Sequence, residues 1–152
     1  MLSLKKTADL RVLTGLFLLL GLMHVFCHAQ ENAAAEKDVP PKPPVLKVAV
    51  LCEDLRDGKN PIPVNQAIVF SSELKKLVCF TDFEPVYEET YIFHKYYFKD
   101  KYSSRKTLKL YPPRWATYSE IQLRETDKGP WRVDITDASG KVLKTIRFSI
   151  TD

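Results

Sequence analysis

The chain has 152 residues, 45% of them hydrophobic, 28% charged and 11% aromatic, with a formal net charge of +4. This is the composition of a globular chain with room for one domain, and it excludes a disordered or collagen-like protein. With five Gly, three Cys and three His, it is poor in the residues that build phosphate loops, metal clusters and catalytic triads.

The N-terminus carries Lys5, Lys6 and Arg11 against one acid, Asp9. The run Val12–Phe26 (VLTGLFLLLGLMHVF) then contains no charge. A short basic region before about 7–15 apolar residues is the pattern of a secretory signal. A spanning helix needs about 20 such residues, so the run is short for one. Residues 1–29 therefore read as a signal peptide cleaved after Ala29, with Cys27 at the −3 position. The competing readings are an uncleaved anchor over residues 12–26 and lipid attachment at Cys27, where bulky Phe26 precedes the Cys. Residues 30–44 (QENAAAEKDVPPKPP) have no repeating apolar face and end in four Pro within five residues. They read as a disordered, Ala/Pro-rich linker with some polyproline stiffness.

Without residues 1–29 the chain keeps twenty basic and eighteen acidic groups, a net charge of +2. Nucleic-acid binding calls for a clearer basic excess and is not expected. The one basic cluster, Lys99–Lys109 (KDKYSSRKTLK), reads as solvated charge on a strand edge, where Lys blocks unwanted pairing.

Residues 45–152 form the domain, and they read as strands. Leu46–Leu51 is a β-branched run after the Pro-rich break, and Gly58–Pro63 a loop. Ala67–Phe70 is a short apolar run, Ser71–Lys76 a turn or a single helical turn, and Leu77–Phe83 (LVCFTDF) a strand. Thr90–Phe98 (TYIFHKYYF) has aromatics on both faces, which predicts a central strand covered on both sides. Thr107–Leu110 is a short strand, and Arg114–Leu123 a longer one with Trp115, Thr117, Ser119, Ile121 and Leu123 on one face. The C-terminal hairpin is the clearest element. Trp131, Val133 and Ile135 alternate with polar residues, Asp137-Ala138-Ser139-Gly140 is turn chemistry, and Val142, Ile146, Phe148 and Ile150 share a face that excludes Leu143. About seven or eight short strands without a helical period predict an all-β fold, a single immunoglobulin-like antiparallel sandwich.

Cys52 and Cys79 fall in this domain. In an exported chain an even pair reads as a disulfide, closing a loop of roughly 28 residues for about 3.5 kcal/mol on a chain-entropy estimate. A redox pair would be spaced C-x-x-C, and a metal site would need further ligands where His94 is the one His left. No cofactor or metal is expected. His94 lies mid-strand with no nucleophile elbow nearby and reads as a buried His with a partner, so the domain is not expected to be an enzyme. Trp115 and Trp131 share faces with Ile and Val and read as core. His94, Tyr96, Tyr111, Arg114 and Tyr118 are the candidate binding surface, because aromatic and Arg side chains dominate contact hot spots.

Three strings carry a resemblance: Phe93-His94-Lys95-Tyr96-Tyr97, Arg114-Trp115-Ala116-Thr117-Tyr118-Ser119, and Gly129-Pro130-Trp131-Arg132-Val133 with the turn exit Gly140-Lys141-Val142-Leu143. Together with an early Cys and Leu77-Val78-Cys79-Phe80-Thr81, they resemble a bacterial family, the domain of unknown function numbered 2914, over about Leu46 to Thr151. Tyr96 stands where that family often has Trp, and Ala116 where it often has Arg. The resemblance implies an exported β-sandwich and no catalytic residue. The expectation is an exported, non-enzymatic module of the periplasm or cell envelope that binds an envelope protein, with polysaccharide as the alternative ligand. It would meet the membrane only through an uncleaved N-terminal segment.

Overall fold

A computed structural model describes residues 42–56, 58 and 61–152; the expected signal peptide and most of the expected linker lie outside the described residues. Pro40–Asp152 is a compact unit. Its described residues form nine strands: β1 (Leu46–Arg56), β2 (Ile62–Gln66), β3 (Val69–Ser71), β4 (Lys76–Phe83), β5 (Thr90–Phe98), β6 (Lys101–Leu110), β7 (Trp115–Gln122), β8 (Gly129–Asp137) and β9 (Val142–Thr151). They make two sheets, of order β2-β1-β4-β7 and β3-β9-β8-β5-β6. All pairings are antiparallel except that of β3 with β9. The fold is an all-β sandwich.

Alternation explains how the core is filled. On β4, Leu77, Cys79 and Phe83 join Leu51 of β1 in facing Ile92, Tyr96, Val133, Ile135, Phe148 and Ile150 of the other sheet. Each fully buried aliphatic or Phe side chain here contributes about 1.5–3 kcal/mol. The intervening residues Val78 and Phe80 join Cys52 in a second buried cluster, with Val50, Leu55 and Ala116 packed against it. The Ser71–Lys76 segment is a single 3₁₀ turn, Ser72–Leu74, started by the Ser71 hydroxyl accepting from the Glu73 N–H at 3.1 Å.

The hairpin β8–β9 turns as its residues dictate. Asp137 Oδ1 accepts from the Lys141 N–H and the Ser139 hydroxyl, and Gly140 takes φ +89°. Its face assignment differs from the expectation. The register skips between Ile135 and Thr136, a bulge that reverses the alternation locally. Leu143 therefore packs against the core and Val142 is exposed. The β5–β6 hairpin turns through Lys99 and Asp100, both at positive φ (49° and 60°).

Other elements also depart from the expectation. β6 begins at Lys101, well before the expected strand, because Lys, Ser and Arg fill the edge of a sheet as readily as apolar residues do; the expected edge charge is thus where it was placed. β2 begins at Ile62, inside the segment expected as loop. β5 is next to the edge, and its outward aromatics face away from the core.

The expected disulfide is a correction. Both thiols are free and buried. Leu51 pairs with Cys79 and Cys52 with Val78, so alternation turns the two sulfurs to opposite faces of one sheet. A bridge would have to pass through the sheet, which disulfide geometry forbids. Burial raises both thiol pKa values, that of Cys79 to about 12. The expected outcome of alkylation is no label at Cys52 or Cys79 in the native protein and full label at both after denaturation without reductant. Peptide mass mapping reads this directly.

Candidate functional site

The sheet order leaves two free edges on one side of the sandwich, β6 of one sheet and β7 of the other. Between them opens a cleft of about 980 Å³. Leu74, Ile121, Leu123 and Trp131 supply its apolar lining. Trp131 is held there by its indole N–H, which donates to the Asp127 carbonyl at 2.6 Å, and by packing against Phe98 at 4.9 Å. The charged lining is unequal: Lys75, Lys76, Lys106 and Arg124 against Glu120 and Asp127. Lys76 Nζ already pairs with Asp54 (3.1 Å) and Glu120 (3.4 Å).

The two cleft walls differ. β6 carries Lys101, Arg105, Lys106 and Lys109, the usual protection of an edge. β7 (WATYSEIQ) has no Lys, Arg or Pro. Its backbone orientation follows from the Leu123 N–H, which donates to the Lys75 carbonyl on the β4 side. In an antiparallel pair alternate residues bond across, so Thr117, Ser119 and Ile121 turn their backbone groups to β4. Ala116, Tyr118, Glu120 and Gln122 turn theirs to the free edge.

Behind the cleft wall lies a buried polar chain. His94 and Tyr96 are the β5 partners of cleft-lining Lys106 and Ser104. Both are wholly buried. The Thr81 hydroxyl donates to the Thr117 carbonyl at 3.3 Å, which leaves its lone pair to accept from His94 Nε2–H at 3.4 Å. Nδ1 then accepts from the Ser119 hydroxyl at 2.7 Å, and Ser119 Oγ accepts from the Tyr96 hydroxyl at 2.7 Å. The network assigns the neutral Nε2–H tautomer. Burial pushes the His94 pKa down to about 4 and that of Tyr96 up. A serine hydroxyl on a histidine nitrogen is also how a nucleophile is activated, but these atoms are sealed from solvent. The hydrogen bonds join β5 to β4 and β7 across the core.

The candidate surface is therefore corrected in two members, since His94 and Tyr96 point between the sheets. Tyr118 (46% exposed) and Arg114 are on the surface. Arg114 is committed to Asp82 through Nε (3.2 Å) and Nη2 (2.6 Å). Asp82, nearly buried, needs that partner. Tyr111 is half-buried and packs edge-on against Trp115 at 4.7 Å. Trp115, expected in the core, is 39% exposed, because it begins an edge strand. These four side chains do not line the cleft. Sequence reasoning missed Lys75, Lys106 and Arg124, which are far apart in the chain. It also missed the partners of His94, although Thr117 and Ser119 interrupt an apolar face beside Ile121 and Leu123. Among the described residues no three His, Cys, Asp or Glu side chains converge as a metal site would require.

Two outcomes are expected. Ser119→Ala leaves Nδ1 and the Tyr96 hydroxyl without their shared partner and destabilises by about 1–3 kcal/mol in urea unfolding. His94 has its full stabilising effect above pH 6.5, where the unfolded imidazole is also neutral. As pH falls from 6.5 towards about 4, the unfolded chain takes up a proton that the folded one refuses. Stability then drops by about 3 kcal/mol. His94→Gln, which cannot titrate, shows a shallower loss over that window; an unchanged slope would remove His94 from the account.

A search of curated proteins finds no match. A family model does match residues 89–150, which hold β5–β8 and nearly all of β9. The match is narrower than the span suggested by the motifs, since Leu77–Thr81 lies outside it, but it contains the His94, Trp115 and Trp131 strings. Over this segment the chain is similar to the family described as Protein of unknown function (DUF2914).

Proposed function

We propose that the protein is an exported, non-enzymatic module that binds another protein of the cell envelope. The basic-then-apolar N-terminus supports export, and the Pro-rich segment supports a spacer between it and the domain. The strand order supports an immunoglobulin-like reading of the sandwich. β1-β4-β7 take the places of strands A, B and E, and β5, β8 and β9 those of C, F and G, with β6 beside β5.

The observation that carries the binding role is the unprotected β7 edge forming one wall of an apolar, net-basic cleft. An extended partner segment gains main-chain hydrogen bonds from such an edge, and its side chains alternate into the cleft. The excess of Lys and Arg selects a segment with acidic residues. A polysaccharide is the alternative ligand.

The test is co-sedimentation of residues 30–152 with isolated cell envelope of the native host, before and after protease treatment of that envelope. Protein binding predicts that treatment abolishes a component of the binding. The same component is lost in Gln122→Pro, which removes an edge-facing N–H while leaving the pairing with β4 intact. If the component sensitive to Gln122→Pro survives protease, the partner is not a protein.

A further inference from the structure

The outward face of the five-stranded sheet has a composition that the cleft does not account for. On β5, Tyr91, Phe93, Lys95 and Tyr97 point away from the core, alternating with Ile92, His94 and Tyr96, which point in. Their cross-strand neighbours on β6 are Lys109, Thr107, Arg105 and Tyr102. On the other side Arg132 of β8 is opposite Tyr97, and Arg147 of β9 is opposite Arg132. Tyr102 is 63% exposed and Tyr91 46%.

Cations and rings are interleaved rather than merely mixed. The Arg105 guanidinium lies 4.9 Å from the centre of the Phe93 ring, with Lys95 Nζ at 6.0 Å. Arg132 lies 4.2 Å from the Tyr97 ring. Stacking fixes a guanidinium in place without using up its N–H donors, so the fork stays ready for a carboxylate or phosphate. Acids offset part of the charge: Lys109 pairs with Glu89, Arg132 with Asp134 and Asp100, and Arg147 with Asp100. Lys95 and Arg105 make no ion pair among the described residues; Asp134, the cross-strand neighbour of Lys95, is engaged by Arg132. A solvated sheet face needs no such arrangement, because small polar side chains would serve.

We propose that this face is a binding site for an acidic polysaccharide. Exposed Tyr91 and Tyr102 offer ring faces and hydroxyls to the C–H faces and hydroxyls of sugars. Lys95 and Arg105 between them take carboxylates. Tyr91 to Tyr97 spans about 20 Å along β5, enough for several consecutive sugar rings. Duplex nucleic acid carries a charge about every 1.7 Å and calls for more unpaired cations than Lys95 and Arg105 supply, and Tyr with Arg on a flat sheet offers no apolar wedge for a bilayer. The site is separate from the β6–β7 cleft, and it stands if the protein-binding reading falls.

The probe is polygalacturonate, with neutral dextran and duplex DNA as comparisons, each immobilised and offered residues 30–152. The expected result is salt-sensitive retention on polygalacturonate and none on dextran. Lys95→Glu with Arg105→Glu weakens retention roughly tenfold or more, since it replaces attraction by repulsion. Tyr102→Ala weakens it as well, and Gln122→Pro leaves it unchanged. Equal retention on DNA, no retention on polygalacturonate, or indifference to the β5–β6 substitutions overturns the proposal. A mapping that needs no variant is the change in backbone amide NMR shifts on adding a galacturonate oligomer. Changes confined to β5, β6, β8 and β9 support the site; changes confined to the cleft residues overturn it.

Discussion

The hydrogen bond from Ser119 to His94 joins two sheets that share no strand pairing, on the side where both edges are free. Elsewhere the sandwich is held by apolar contact, which has no direction and tolerates sliding. On the open side, between the free edges of β6 and β7, sliding would close or splay the cleft. The chain from Tyr96 through Ser119, His94 and Thr81 to the Thr117 carbonyl fixes the spacing there with directional bonds, and every member has its partner. A buried polar network is costly when half satisfied and specifying when complete. The cleft thus owes its shape to groups that never touch its contents.

The two faces of β5 divide labour in the same way. Its inward residues anchor the network, and its outward Phe93 and Tyr97 supply the rings on which Arg105 and Arg132 stack. One nine-residue strand therefore couples the architecture of the open side to the chemistry of the opposite surface. The cleft is concave, edged by free backbone and suited to an extended chain. The outer face is flat, basic and suited to a polyanion. Nothing requires the two to compete, since the sheet itself separates them.

Much of this was legible in the residues. The β8–β9 hairpin could be read because Trp131, Val133 and Ile135 alternate without interruption into Asp-x-x-Gly. The sandwich followed from many short alternating runs. What escaped were facts of pairing. Leu143 looked misplaced because a bulge in register cannot be seen in one strand alone. Cys52 and Cys79 each lie in an apolar run, and only the pairing of Leu51 with Cys79 reveals that their sulfurs face apart. His94 was readable as buried, but its placement on a surface with Tyr96 and Tyr118 failed because those residues belong to different sheets. The cleft could not be read at all, since edge strands are defined by what is missing beside them.

The two unpaired thiols carry one more implication. A sandwich stapled by a disulfide records its compartment covalently and weakens when reduced. This one holds Cys52 and Cys79 as small apolar fillers on either side of a single sheet, with burial keeping them protonated and inert. At these two residues the native fold contains no bond that depends on the redox state of its surroundings, and no oxidase has to act on them before it is complete.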